Sequence, residues 1–382
     1  MPHPTRTLAL LDRLVAFPTV SRDSNLDLID WAEAQLSGCG FEVMRIWSPA
    51  RDKAGIFARI GPRIDGGICL SGHTDVVPVE GQNWTRPAFK LTQEGARVFG
   101  RGATDMKGFL ASALAMAEHA QTSRLKAPLS LVLSYDEEIG CVGLREMLPE
   151  LKPLIARPDV VIVGEPTAMQ IAVGHKGKSA LEVTCHGQAG HSALAPQFVN
   201  AIHVASHFVT ELQTLQAKLA EGVGDDAYNI PYSTIHVGQI SGGQALNIVP
   251  DLVTLTMEFR HLADASPGGI LAEINAAARR TAEVFGPRSA VNVDVRNSYP
   301  GLRVAEDAPA IDWARKMTEG GETTKVAFGT EAGFFADLGL NTLVIGPGDM
   351  ARDGHKADEG LDLAQLDQCD AMMARVLQDL TG

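Results

Sequence analysis

The sequence predicts a mixed α/β fold, a sheet between helical layers with a smaller two-layer α+β module inserted into it. Three features of the 382-residue chain carry that expectation. Strand-length apolar runs alternate with amphipathic helical stretches up to Glu165 and again near the end. From Lys178 the order changes to β-α-β-β-α-β, the pattern of a compact two-layer unit. The polar residues richest in chemistry stand directly after apolar runs, and in α/β sheets ligands bind at the carboxyl ends of strands.

In order along the chain, Leu8, Leu11, Leu14 and Val15 recur at helical spacing and stop before Pro18. Leu28, Trp31, Ala32 and Leu36 repeat the pattern and stop at Gly38 and Gly40. Residues 41–47 and 54–60 alternate as strands, and 67–70 reads as a short strand buried on both faces. A helix over 108–120, a strand over 129–134, a helix near 142–148 and a strand over 160–163 follow. In the inserted module, 180–186, 233–240, 253–260 and 291–295 alternate, while 199–220 and 270–285 are helical. Residues from Pro300 return to mixed helix and strand, with a short apolar strand over 342–345. The expected division is a first domain of residues 1–176 and 297–382 and an inserted domain of residues 177–296.

Composition excludes several function classes. With 33 Lys+Arg against 46 Asp+Glu, a formal charge of −13 and no basic block, the surface opposes a nucleic-acid backbone. No run reaches the roughly 18 apolar residues of a spanning helix, and the run over 8–11 is cut by Asp12 and Arg13. Neither a membrane anchor nor a signal peptide is expected. The five cysteines are odd in number and widely spaced, which suggests neither a disulfide framework nor a thiolate zinc site; a reducing cytoplasm is the expected setting.

The chemistry concentrates in a few runs. Ser71-Gly72-His73-Thr74-Asp75 ends one strand with an imidazole and, two residues on, a carboxylate. Gly100-Arg101-Gly102 through Asp105-Met106-Lys107-Gly108 puts an acid in a glycine-rich turn before a helix. Asp136-Glu137-Glu138 follows a strand, Gly164-Glu165-Pro166-Thr167 ends another, and His355 comes late. Two imidazoles and several carboxylates at the strand ends of one sheet supply the N/O donors that zinc accepts, enough for two ions sharing a bridging carboxylate. Three consecutive acids repel one another unless cations sit among them.

Those runs, in that order over nearly the whole chain, closely resemble the dinuclear zinc amidohydrolase and peptidase family, which includes acetylornithine deacetylases, succinyl-diaminopimelate desuccinylases and aminoacylases. Gly174-His175-Lys176-Gly177, Gly190-His191-Ser192 and Gly329-Thr330-Glu331-Ala332 are similar to stretches in the first of these. The resemblance implies a three-layer metallopeptidase-like catalytic domain and an inserted ferredoxin-like dimerisation and lid domain. It implies two Zn2+, with Co2+ able to substitute, held by His73 and Glu165 on one side and Glu138 and His355 on the other, with Asp105 between them. It makes Glu137 the general base, Asp75 the residue that orients His73, and His191 a group that reaches the site from a partner subunit to stabilise the oxyanion. On the module, Asn247 and Arg260 are expected to grip a substrate carboxylate, and Glu331 is expected to meet a substrate ammonium. The implied reaction is hydrolysis of a small N-acyl amino acid by a homodimer, N-acetyl-L-ornithine first, with another N-acyl amino acid or a dipeptide, such as N-succinyl-diaminopimelate, as the alternative. A relative that keeps the fold and metals without catalysis is the reading from another class.

Other patterns are weaker. His203 and His207 are four apart on a helix, but Val204 stands where a zinc protease has its glutamate, so they read as a polar helix face. Gly100 and Gly102 lack the third glycine of a dinucleotide fingerprint. Cys141, behind Glu137 and Glu138, reads as a packing residue.

Overall fold

The computed structural model describes residues 4–382, which separate into two compact units. One comprises residues up to 174 with 302–326 and 330–382; the other comprises 175–301 with 327–329.

The first unit is built on a nine-stranded sheet. Across it run Glu42–Trp47, Ala54–Ile60, Leu129–Ser134, Ile68–His73, Val160–Val163, Thr342–Val344, Ile171–His175 and Leu302–Arg303, with Thr323–Val326 also paired to Ile171–His175. Leu129–Ser134, Ile68–His73, Val160–Val163 and Thr342–Val344 lie side by side and parallel, so their carboxyl ends emerge at one edge. Ile68–His73 and Leu129–Ser134 are buried at every position, as continuous apolar strands covered on both faces must be. Ile56, Leu70, Leu131, Ile162 and Leu343 face a core shared with helices Pro4–Val15, Leu26–Gly38, Gly108–Ala120, Pro309–Met317 and Leu363–Thr381. Phe57, Cys69, Val132, Val161 and Val344 alternate with them and are buried too. On the sheet pack helices Val142–Leu151 and Ala332–Asp337. Gly108–Ala120 is apolar almost all round and is packed between Pro4–Val15 and Leu363–Thr381, the place for a helix without a polar stripe.

Several elements run further than the sequence pattern suggests, or escape it. The strand expected over 67–70 continues to His73, because its ladder with Leu129–Ser134 persists to His73 opposite Ser134. The helix expected over 199–220 starts at Ala201, because the Asn200 side chain accepts the Ile202 N–H at 2.9 Å and caps it. Ile171–His175 is a fully buried strand that the pattern did not single out.

The second unit is a four-stranded antiparallel sheet in the order Thr234–Gly242, Leu252–His261, Gly177–His186, Ala290–Tyr299. With helices Ala201–Glu221 and Pro267–Phe285, its chain order is β-α-β-β-α-β. Gly177–His186 alternates between buried and half-buried positions, and Leu181, Val183 and Cys185 meet Leu255, Met257, Phe208 and Ile274 in one core. A short ribbon, Gly190–His191 with Ile248–Val249, stands apart from this sheet.

Candidate metal centre

The four parallel strands of the first unit lead into the residues expected to carry chemistry. His73 is the last residue of its strand, Glu137 and Glu138 follow Ser134, Glu165 follows Val163, and His355 lies in the loop region beyond Val344. Asp105 sits in the irregular turn before helix Gly108–Ala120, which Gly102 enters at φ +82°, a conformation that favours glycine.

The turns converge. Asp105 Oδ1 lies 3.1 Å from His73 Nε2 and Asp105 Oδ2 lies 3.2 Å from His355 Nε2. His355 Nε2 is 2.9 Å from Glu138 Oε2, and His73 Nε2 is 3.7 Å from Glu165 Oε1. His73, Glu137 and Glu165 form one group whose donor atoms lie within 4.8 Å of one another, and His73, Asp105 and Glu138 form another. The residues expected to bind metal therefore converge, and Glu137 belongs to the His73 group.

The donors fit divalent cations. Asp75, Asp105, Glu137, Glu138, Glu165 and Glu331 crowd a region where the imidazoles of His73 and His355 oppose their mutual repulsion. Burial pushes the Glu137 and Glu165 carboxyls well above the ordinary range, opposed by His73 and aided by neighbouring acids. Burial and Asp105 push Glu138 up to about 7, and burial takes Glu331 to about 7. Hydrogen bonds to Asp105 and Glu138 take His355 up to about 10. At His73 burial opposes the charged form, yet Asp105 and Asp75 hold the imidazole well above its ordinary value. Glu165 Oε1 is buried and makes no hydrogen bond, an arrangement that costs free energy unless a cation meets it. Carboxylate and imidazole donors without thiolates suit zinc, cobalt or manganese.

Asp75 does more than face His73. Its carboxylate is 3.5 Å from His73 Nδ1, while its backbone carbonyl lies at 3.0 Å from the same nitrogen. The carboxylate also accepts the Glu137 and Glu138 backbone N–H groups, at 3.0 and 3.2 Å, and the Ser21 hydroxyl at 2.7 Å. One side chain thus ties the His73 strand end to the loop bearing both glutamates. Asp136 lies elsewhere in this scheme: both its oxygens receive the Lys53 ammonium, at 2.6 and 2.8 Å. The first of the three consecutive acids is neutralised by the protein's own lysine, which also donates to the Ser21 carbonyl. Lys53 carries no local signal, since its partner is 83 residues away. Cys141 is buried, as a packing residue would be, but its thiol also donates to Glu137 Oε1 at 3.3 Å.

Glu331 is buried in the first unit, where the Ser134 hydroxyl donates to its Oε2 at 2.8 Å and Oε1 makes no hydrogen bond. His191, Asn247 and Arg260 belong to the second unit. His191 is exposed on the short ribbon, its Nδ1 accepting the Ala193 N–H at 3.1 Å, and the Asn247 carbonyl accepts the adjacent Ser192 N–H at 3.0 Å. Those two positions are neighbours. Arg260 is half-buried with its Nε donating to Glu258 Oε1 at 2.9 Å, and Glu258 also pairs with Lys178. Of the helical histidines, His203 is exposed, whereas His207 packs edge-on against Phe285, 5.8 Å between ring centroids.

Residues 69–379 match the model of Peptidase family M20/M25/M40. An acetylornithine deacetylase from Myxococcus xanthus is 32% identical over 381 residues, 98% of this chain and 97% of that protein. A tripeptidase from Staphylococcus aureus shares the fold with a TM-score of 0.79 at 18% identity, over 99% of both chains. A dinuclear metal-binding peptidase of the M20 family from Bacillus subtilis matches with a TM-score of 0.72 at 16% identity, over 99% of this chain and 98% of the other. No helix among the described residues is long and apolar enough to cross a membrane. With a family match over most of its length and clustered imidazole and carboxylate groups that could hold a metal ion, the chain belongs to Peptidase family M20/M25/M40 and is a metal-dependent hydrolase.

Proposed function

We propose that the protein removes the acetyl group from N-acetyl-L-ornithine, giving L-ornithine and acetate in arginine biosynthesis. The observation that carries the hydrolytic site is the placement of Asp105, whose two oxygens face two different imidazoles as a bridging ligand requires. The substrate rests on the similarity to a protein named acetylornithine deacetylase.

In this reading His73 and Glu165 would hold one Zn2+ and Glu138 and His355 the other, with Asp105 available to both, and Co2+ would be an acceptable replacement. When bound, the ions polarise the scissile carbonyl and make water more acidic. Glu137 takes the proton from the attacking water and delivers it to the leaving amine, and the Cys141 thiol fixes one of its oxygens. Asp75 holds the His73 ring and the backbone of the glutamate pair. His191 from a partner subunit stabilises the oxyanion, Asn247 and Arg260 bind the substrate carboxylate, and Glu331 meets the substrate ammonium. The second unit mediates the homodimer.

The test is ornithine release from N-acetylornithine by purified protein, before and after chelation and again after zinc or cobalt is restored, with N-succinyl-diaminopimelate in parallel. Metal-dependent release from the acetyl substrate alone is expected. Turnover of the succinyl substrate instead assigns the other acyl group, and metal binding with turnover of neither substrate refutes both.

A further inference from the structure

Glu359 lies four residues beyond His355 and is 1% exposed. Its Oε1 accepts the backbone N–H groups of Thr104 and Asp105, at 2.9 and 3.0 Å. Its Oε2 accepts the Gly102 N–H at 2.9 Å and Arg101 Nη1 at 2.8 Å. Both oxygens are therefore fully used, by three backbone donors from four consecutive residues and by a guanidinium that is itself 1% exposed.

The surrounding bonds join the same two segments. Gly100 N–H donates to the Glu359 carbonyl at 2.9 Å, the Thr104 hydroxyl donates to the Gly360 carbonyl at 2.8 Å, and Arg101 Nη1 reaches the Lys356 carbonyl at 3.2 Å. Arg101 also donates to the Gln82 side-chain oxygen, while Gln82 Nε2 donates to the His355 carbonyl at 2.8 Å. Residues 100–105 and 354–360 are fastened along their length, and the first segment carries Asp105 while the second carries His355.

We infer that Glu359, with Arg101, is a positioning residue that sets the Asp105 turn in register with the His355 loop, so that each oxygen of Asp105 faces its own imidazole. The inference rests on the proposed reading of Asp105 and His355 as metal ligands. A rigid acceptor behind a ligand fixes that ligand's direction, and loss of such support typically weakens metal binding by about 10–100-fold. Glutamine at 359 puts an amide N–H2 where one oxygen now receives backbone donors, so the register fails without a change of side-chain size.

The experiment compares the full-length wild type with Glu359→Gln, Glu359→Asp and Arg101→Lys. Zn2+ is titrated against a chromophoric chelator, and amide hydrogen exchange over residues 102–105 is followed in metal-free protein. For Glu359→Gln, affinity is expected to fall about 10–100-fold and exchange at 102–105 to quicken, while exchange in the second unit stays unchanged. The other two variants should show smaller losses, and they carry the test if Glu359→Gln does not fold. Folded variants that bind two ions with wild-type affinity overturn the positioning role alone. A wild-type chain that binds no divalent cation overturns the ligand reading and this inference with it.

Discussion

The two halves of the candidate metal centre are built differently. Around His73 the imidazole is 0% exposed, the Asp75 and Glu165 side chains are 3% exposed, and the ring is braced from behind by the Asp75 carbonyl. The His355 imidazole is 52% exposed and stands on a loop at φ +58°, although the side chain of its partner Glu138 is only 5% exposed. The His73 half is made by a strand end in the middle of a sheet, where register leaves little freedom. The His355 half is brought in by a loop segment hydrogen-bonded to the Asp105 turn. One half is a consequence of the fold; the other must be assembled on it.

The sharpest way to break that comparison is at Glu137, beside the buried half. Glu137→Gln should retain both ions and lose about 10²–10⁴-fold in kcat, measured alongside metal content; a wild-type rate removes Glu137 as the base. A smaller effect separates the halves directly. On chelation the two ions should leave in two phases, with affinities about 10–100-fold apart, and a His355→Ala variant should show only the tighter phase. A single phase in the wild type would mean that exposure of one imidazole does not govern retention. The smallest expected change concerns substrate. Glu331→Gln should raise KM several-fold for N-acetylornithine and leave KM unchanged for N-acetylnorvaline, which lacks the side-chain ammonium, measured by steady-state kinetics. Equal changes in both would make Glu331 a packing residue.

The fold class was legible because burial on both faces leaves a plain mark: 129–134 and 160–163 are nearly continuous apolar runs, and they are parallel central strands. The residues that converge were legible for the same reason, since His73, Glu137, Glu138 and Glu165 stand just past such runs. What local pattern could not give was pairing across the chain. Arg101 and Glu359 are 258 residues apart, and Lys53 and Asp136 are 83 apart. The acids at 136–138 implied cations, but one of those cations proved to be a lysine side chain. Cys141 was expected only to pack; its thiol also contacts Glu137, a directionality that hydrophobicity does not encode. The strand Ile171–His175 was missed because its five residues end in Gly174 and His175, which break an otherwise apolar run.

The main segment of the second unit, residues 175–301, has its first and last strands, Gly177–His186 and Ala290–Tyr299, side by side, with Lys178 opposite Tyr299. A Cβ on Gly177 would sit 2.7 Å from the Gly301 nitrogen, so the outgoing and returning backbones run almost in touch. A module whose two ends meet can be gained or lost by a host in a single recombination event, because the host chain needs only a short splice to close the gap. The same geometry predicts portability: cut just outside these two strands and rejoined by a few residues, the host sheet should keep its strand order, and the excised piece its four strands.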